Sequence, residues 1–173
     1  MEQKRKLKFL FLVLFILSLD FLTKYLTHHN IAFYPYGSIP VFENFLGINF
    51  SISHVTNRGG PWGMISSHHD VLVILRIFAI VCLSIYLFFF NDIAFRRGPL
   101  CMIIAGALGN VIDSFIYGHV IDMIHFIFWG YSFPVFNVAD ASIFLGVAAL
   151  LLNGVYVKLV SKKDTESSHQ DIL

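Results

Sequence analysis

Four long apolar stretches organise the chain: Leu7–Leu26, Val71–Phe90, Pro99–Tyr117 and Phe136–Leu159. A helix rises about 1.5 Å per residue, so about 20 residues match the roughly 30 Å hydrocarbon core of a bilayer. The pattern therefore predicts four transmembrane helices. The first stretch follows Lys4, Arg5, Lys6 and Lys8 but carries no small-x-small cleavage site, so it reads as an uncleaved span and not a signal peptide. Arg76 is the one charge in the second stretch, near enough to its end to snorkel outward. Pro99 suits the first turn of the third helix. Two segments separate the spans on one side, at 27–70 and 118–135. Within the longer one, Ile48–Val55 alternates apolar and polar positions as a half-buried strand does. The shorter one, rich in His and aromatic residues, reads as an interfacial loop or short amphipathic helix. Residues 1–159 form a single polytopic domain in this reading, and 160–173 a polar, loosely ordered cytoplasmic tail.

Composition supports the membrane assignment. Hydrophobic residues make up 57% of the 173 residues and charged residues 13%, whereas a soluble domain carries about 25% charge. Mean hydropathy is +0.72. A net charge of +1 gives no field to recruit nucleic acid. Nine of the twelve Lys and Arg flank the spans on one side: four at the start, Arg96 and Arg97 in the middle turn, and Lys158, Lys162 and Lys163 at the end. The positive-inside rule places that side, and both termini, in the cytoplasm. Cys82 and Cys101 fall inside apolar stretches and read as buried thiols.

Ionisable groups within spans are costly and mark function. Asp113 lies about 21 Å along the third span from its cytoplasmic start, and Asp140 about a turn into the fourth, which enters from the other side. The two carboxylates reach a similar depth near the outer surface. Gly106, Gly109, Asn110 and Asp113 share one helix face, as do Asn137, Asp140 and Ala141. Two carboxylates sharing a proton suit aspartic proteolysis, one as base toward water and the other as acid. Ion translocation or a structural role is the alternative use of two membrane carboxylates. Asp20 and Lys24, one turn apart in the favourable order, read as a structural ion pair with a secondary role in shaping the site. His119, Asp122 and His125 have helical i+3 spacing, but no strong metal motif such as H-E-x-x-H occurs, and neither a metal nor a cofactor is expected.

Five ordered motifs resemble those of bacterial lipoprotein signal peptidases, the signal peptidase II family. Asp20-Phe21-Leu22-Thr23-Lys24 resembles D-x-x-T-K, and Asn57-Arg58-Gly59-Gly60-Pro61-Trp62-Gly63 resembles N-x-G-A-A-[FW]-G. Gly109-Asn110-Val111-Ile112-Asp113 resembles G-N-x-x-D, Val120-Ile121-Asp122 resembles V-x-D, and Phe136-Asn137-Val138-Ala139-Asp140 resembles F-N-x-A-D. The resemblance implies an intramembrane aspartyl endopeptidase that cuts diacylglyceryl-modified prolipoproteins immediately before the lipidated cysteine. It implies Asp113 and Asp140 as the catalytic pair. Asn57, Asn110, Asn137 and Asp122 become supporting polar residues, and Gly59, Gly60 and Gly63 part of the substrate cradle. The implied fold has four transmembrane helices, a small extracytoplasmic β-cradle and a short periplasmic helix. Its implied setting is the bacterial inner membrane, as a monomer among lipids, with the site near the periplasmic face.

Two positions depart from the family pattern. Ser114 stands where an Arg usually follows the third-span Asp, and Gly60-Pro61 replaces Ala-Ala. Arg58 and His119 are the candidates to supply the missing positive charge. Rival readings are a small proton-coupled transporter using the same carboxylates and a non-catalytic peptidase homologue. The transporter gives no reason for the long Gly- and aromatic-rich outer segment.

Overall fold

A computed structural model describes residues 2–58, 68–91 and 93–170. All four apolar stretches are helical: α1 (Glu2–Asn30), α2 (His69–Ile85), α3 (Arg97–Tyr117) and α4 (Val138–Gln170). A π-helical turn, Tyr86–Phe90, extends α2, and a 3-10 turn, Ala94–Arg96, leads into α3. Each helix is long and apolar enough to cross a membrane, over Leu7–Asn30, His69–Phe90, Ala94–Tyr117 and Val138–Val157. Their large apolar side chains face outward: Phe11, Phe78 and Phe144 are 70%, 65% and 71% exposed. Water would penalise that arrangement by about 25 cal/mol per Å², and lipid tails would not. The protein is a multi-pass membrane protein.

The third helix is the hub. It packs against the other three and, among the described residues, holds more buried ones than any other element, including Leu100, Ile104, Ala105, Asn110 and Asp113. Close approach needs small residues here. A Cβ at Gly106 would run into the Ala139 carbonyl of α4, and one at Gly109 would stand 2.5 Å from the Asp20 carboxylate of α1.

Four antiparallel strands form one sheet in the order β1 (Ser38–Phe45), β2 (Ile48–Asn57), β3 (Val120–Phe128), β4 (Tyr131–Ser132). Both hairpin turns have two central residues with positive φ, Leu46-Gly47 and Trp129-Gly130, the geometry whose twist matches antiparallel strands. Gly118, at φ 73°, ends α3 in the left-handed conformation and feeds the chain directly into β3.

Three sequence expectations change. Segment 118–135 is mostly a strand hairpin, with an irregular stretch at 133–135, and holds no helix. β-Branched and aromatic residues in Val120–Phe128 pair with β2 from Ile48↔Phe128 to Asn57↔Val120, and that pairing fixes the extended form. The short periplasmic helix is therefore absent from 118–135; residues 59–67 lie outside the described residues. The last helix also continues through Gln170, past Leu159. Lys, Glu and Gln are good helix formers, so polarity ends the span without ending the helix.

Candidate active site

The polar residues singled out in the sequence meet where the C-terminal ends of α1 and α3, the start of α4 and strand β3 converge. Lys24 is fully buried and sits at the centre. Its Nζ lies 2.7 Å from Asp20 Oδ2 and 2.8 Å from Asp113 Oδ2, and it donates to Asn110 Oδ1 at 3.1 Å. An ammonium group has three protons, and here three acceptors take them. The expected Asp20–Lys24 ion pair is present. The bond to Asp113 was not legible, because the local partner already accounted for Lys24.

Each carboxylate in this cluster is engaged differently. Asp20 Oδ1 accepts the Ala139 N–H at 2.8 Å, placing negative charge at the N-terminus of α4, where the helix dipole favours it. Asp113 Oδ2 accepts the Ile121 N–H at 3.2 Å in addition to its Lys24 contact. Asp140, partly exposed, accepts from Asn110 Nδ2 at 2.8 Å. Asp122 is 1% exposed and accepts from Asn57 Nδ2 at 2.8 Å and Asn137 Nδ2 at 2.7 Å. Burial pushes its carboxyl up to about 7, and the nearby charge of Asp140 adds to the shift.

Asn137 ties the strand to the helix. Its Oδ1 accepts the Asp140 N–H at 2.8 Å as the N-cap of α4, while Nδ2 faces Asp122 and, at 3.2 Å, Asn110 Oδ1. Asp122, Asn110 and Asp140 are thus held by one amide side chain. A cavity of about 250 Å³ opens between α1 and α3, lined by Leu17, Phe21 and Ile112, with Asp20 and Asp113 also on its wall.

Of the two candidates to replace the missing Arg, His119 is not a cation near neutral pH. His119 is shifted below the ordinary histidine value, first by burial and then by Arg58, so it is neutral near pH 7. Lys24 is the cation on Asp113. Ser114 Oγ donates to the Asn110 carbonyl at 3.0 Å, a bond within its own helix. The helical spacing of His119, Asp122 and His125 also has no meaning here: His119 precedes β3, and Asp122 and His125, three apart on the strand, point to opposite faces. His125 Nε2 meets Ser132 Oγ at 2.9 Å. Among the described residues no group of three His, Cys, Asp or Glu side chains is arranged to hold a metal. Gly59, Gly60 and Gly63 of the implied cradle, with Pro61, lie outside the described residues.

The described geometry is that of a buried polar cluster in an apolar bundle, with two carboxylates, Asp122 and Asp140, bridged by amides. Comparison with known proteins gives it a family. A family described as signal peptidase (SPase) II matches residues 12–156. A lipoprotein signal peptidase of Moorella thermoacetica is 36% identical over 82% of this chain and 89% of its own. One of Staphylococcus aureus is 32% identical over 90% of this chain and 91% of its own. A solved structure described as a bacterial membrane enzyme, obtained by the in meso method at 2.3 Å resolution, superposes with a TM-score of 0.77 at 29% identity. It covers 90% of this chain and 91% of that one. The chain belongs to the signal peptidase II family of membrane proteases.

Proposed function

We propose that this protein cleaves diacylglyceryl-modified prolipoproteins immediately before the lipidated cysteine, using Asp122 and Asp140 as the reacting carboxylates. The motif resemblance pairs Asp113 with Asp140. One observation carries the revision: Asp113 is committed to the buried Lys24 ammonium and to a backbone N–H, whereas Asp122 takes its bonds from two neutral amides and feels the charge of Asp140. A carboxylate locked to a lysine cannot exchange its proton readily. One that is sealed beside another carboxylate is poised to share one.

Asp140, the more exposed of the two, acts as the base. It takes a proton from water as the water oxygen bonds to the peptide carbonyl carbon. Asp122, holding its proton, donates it to the carbonyl oxygen. The tetrahedral intermediate then collapses: the C–N bond breaks, the amine leaves with the proton that Asp140 acquired, and the hydroxyl that becomes the carbonyl returns its proton to Asp122. Asp113, with Lys24 and Asp20, holds α1, α3 and α4 together beneath the pair. The charge distribution supports both termini in the cytoplasm and the site at the outer face of a bacterial inner membrane.

The test is a purified enzyme with a diacylglyceryl prolipoprotein. Wild type should cut once, before the modified cysteine. Asp122→Asn and Asp140→Asn should each lower kcat on the order of 10²–10⁴-fold in folded protein. Asp113→Asn should chiefly lower thermal stability, by unpairing buried Lys24. Normal turnover by folded Asp122→Asn would return the catalytic role to Asp113.

A further inference from the structure

The polar network contains a feature that neither the family assignment nor the reacting pair requires: the orientation of the Asn110 amide is dictated from two sides. Lysine can only donate, so the Asn110 atom 3.1 Å from Lys24 Nζ must be the oxygen. The same oxygen accepts from Asn137 Nδ2 at 3.2 Å. With its oxygen turned to Lys24 and Asn137, the amide has its N–H₂ group facing Asp140 Oδ1, at 2.8 Å. A flipped amide would set its N–H₂ against the ammonium and its oxygen against the carboxylate, losing both bonds.

We infer that Lys24 and Asn110 form a positioning relay: Lys24 fixes the Asn110 amide so that its N–H meets Asp140, assigning Asp140 the ionised role and leaving the shared proton on Asp122. The inference rests on the Asp122–Asp140 reading of the reaction and deepens it. An N–H aimed at a carboxylate stabilises the charged form and does nothing for the neutral one. Asp122 also receives amide N–H groups, from Asn57 and Asn137, yet it is almost fully enclosed while Asp140 reaches the open side. Burial therefore opposes charge at Asp122, and the relay favours it at Asp140. The two halves of the asymmetry act in the same direction. The cationic end of the relay is 0% exposed and is fixed by Asp20 and Asp113, so the amide is held against a rigid point rather than a mobile side chain.

The most informative variant is Asn110→Asp, nearly isosteric, which keeps an oxygen for Lys24 and replaces the donor toward Asp140 with an acceptor. At alkaline pH the new carboxyl is ionised and repels Asp140, so kcat should fall on the order of 10²-fold with KM little changed. As pH falls, the new carboxyl gains a proton and with it an O–H donor. The ratio of wild-type to variant kcat should then shrink to about 10-fold or less by about pH 5. A purely structural role gives a ratio that does not vary with pH, and that result overturns the relay, as does wild-type kcat throughout.

Lys24 is tested in the same assay through the pair Lys24→Gln and Lys24→Met. Glutamine retains a donor for the Asn110 oxygen and methionine does not, so Gln should retain several-fold more kcat than Met. Adding Lys24→Met to Asn110→Asp should cost less than the two penalties combined, since both act on one bond. Equal rates for Gln and Met, or additive penalties, overturn the part assigned to Lys24. If neither Lys24 variant folds, the pH dependence of Asn110→Asp decides alone. Asp140→Asn is run in parallel: turnover there removes the reacting pair itself, whereas an inactive Asp140→Asn with a flat Asn110→Asp ratio removes only the relay.

Discussion

Two aspartates of the V-x-D and G-N-x-x-D motifs lie nine positions apart and have opposite surroundings. Asp113 has an ammonium against it, while Asp122 has two amides, almost no solvent and a second carboxylate nearby. The folded-state pKa of Asp122, about 7, lies above the ordinary 3.8. Its contribution to stability is therefore fully present below pH 3.8 and is lost as pH rises through about 7. If Asp122 is the acid, turnover should fall with it, giving an alkaline limb of the kcat profile centred near 7. Thermal stability should decline from about pH 3.8 to about pH 7 and level off above it, and less so in Asp122→Asn; a kcat profile flat from about pH 6 to pH 8 would exclude Asp122 as the proton donor. The sequence made both carboxylates visible but not this contrast. What separates them is a lysine 89 positions before Asp113, already explained by its neighbour Asp20, and an amide delivered to Asp122 by β2.

At the scale of elements, legibility tracked how much of each pattern is set by solvent. The four spans were readable because a long apolar run has one inexpensive solution in lipid, and β2 because Ile48–Val55 alternates. The third strand was not. Both faces of its first half are buried, Ile121 and Met123 on one side and Val120 and Asp122 on the other, which hides the two-residue period that identifies strands. Helix packing around α3 was partly legible, since Gly106 and Gly109 marked a close approach, though not what approaches. At Gly109 it is the Asp20 carboxylate, so Gly109→Ala adds a methyl 2.5 Å from a charged oxygen that also holds Lys24. The expected result is a loss of about 1–3 kcal/mol in stability, read as a lower unfolding midpoint, together with reduced turnover. Gly118→Ala, where nothing lies within 4 Å, serves as the contrast: its cost comes from positive φ alone, about 1 kcal/mol. Equal effects on turnover from the two substitutions would argue against Asp20 as part of the site's support.

Over the whole molecule, the polar cluster sits at one end of the helical bundle, under a sheet, with a cavity between α1 and α3 walled by Leu17, Phe21 and Ile112 and reaching Asp20 and Asp113. That layout brings an apolar cavity up to Asp20 and Asp113, the carboxylates that support the proposed reacting pair. Its consequence concerns recognition. A substrate carrying two acyl chains remains in the bilayer, so it can approach between helices while its peptide meets the carboxylates. Each buried methylene contributes about 0.8 kcal/mol, enough for the lipid to supply much of the binding energy used to position the scissile bond. Binding energy from a remote group lowers KM when it acts equally on substrate and transition state, and raises kcat when it is spent on orientation. The prediction is that the diacylglyceryl peptide exceeds the unmodified peptide by at least about 10²-fold in kcat/KM. Shortening the acyl chains should reduce that advantage progressively. Replacing Phe21 by Ala should weaken the dependence on chain length without abolishing cleavage of the modified peptide. Equal kcat/KM for modified and unmodified peptides, measured in the same detergent, would show that the lipid has no part in recognition.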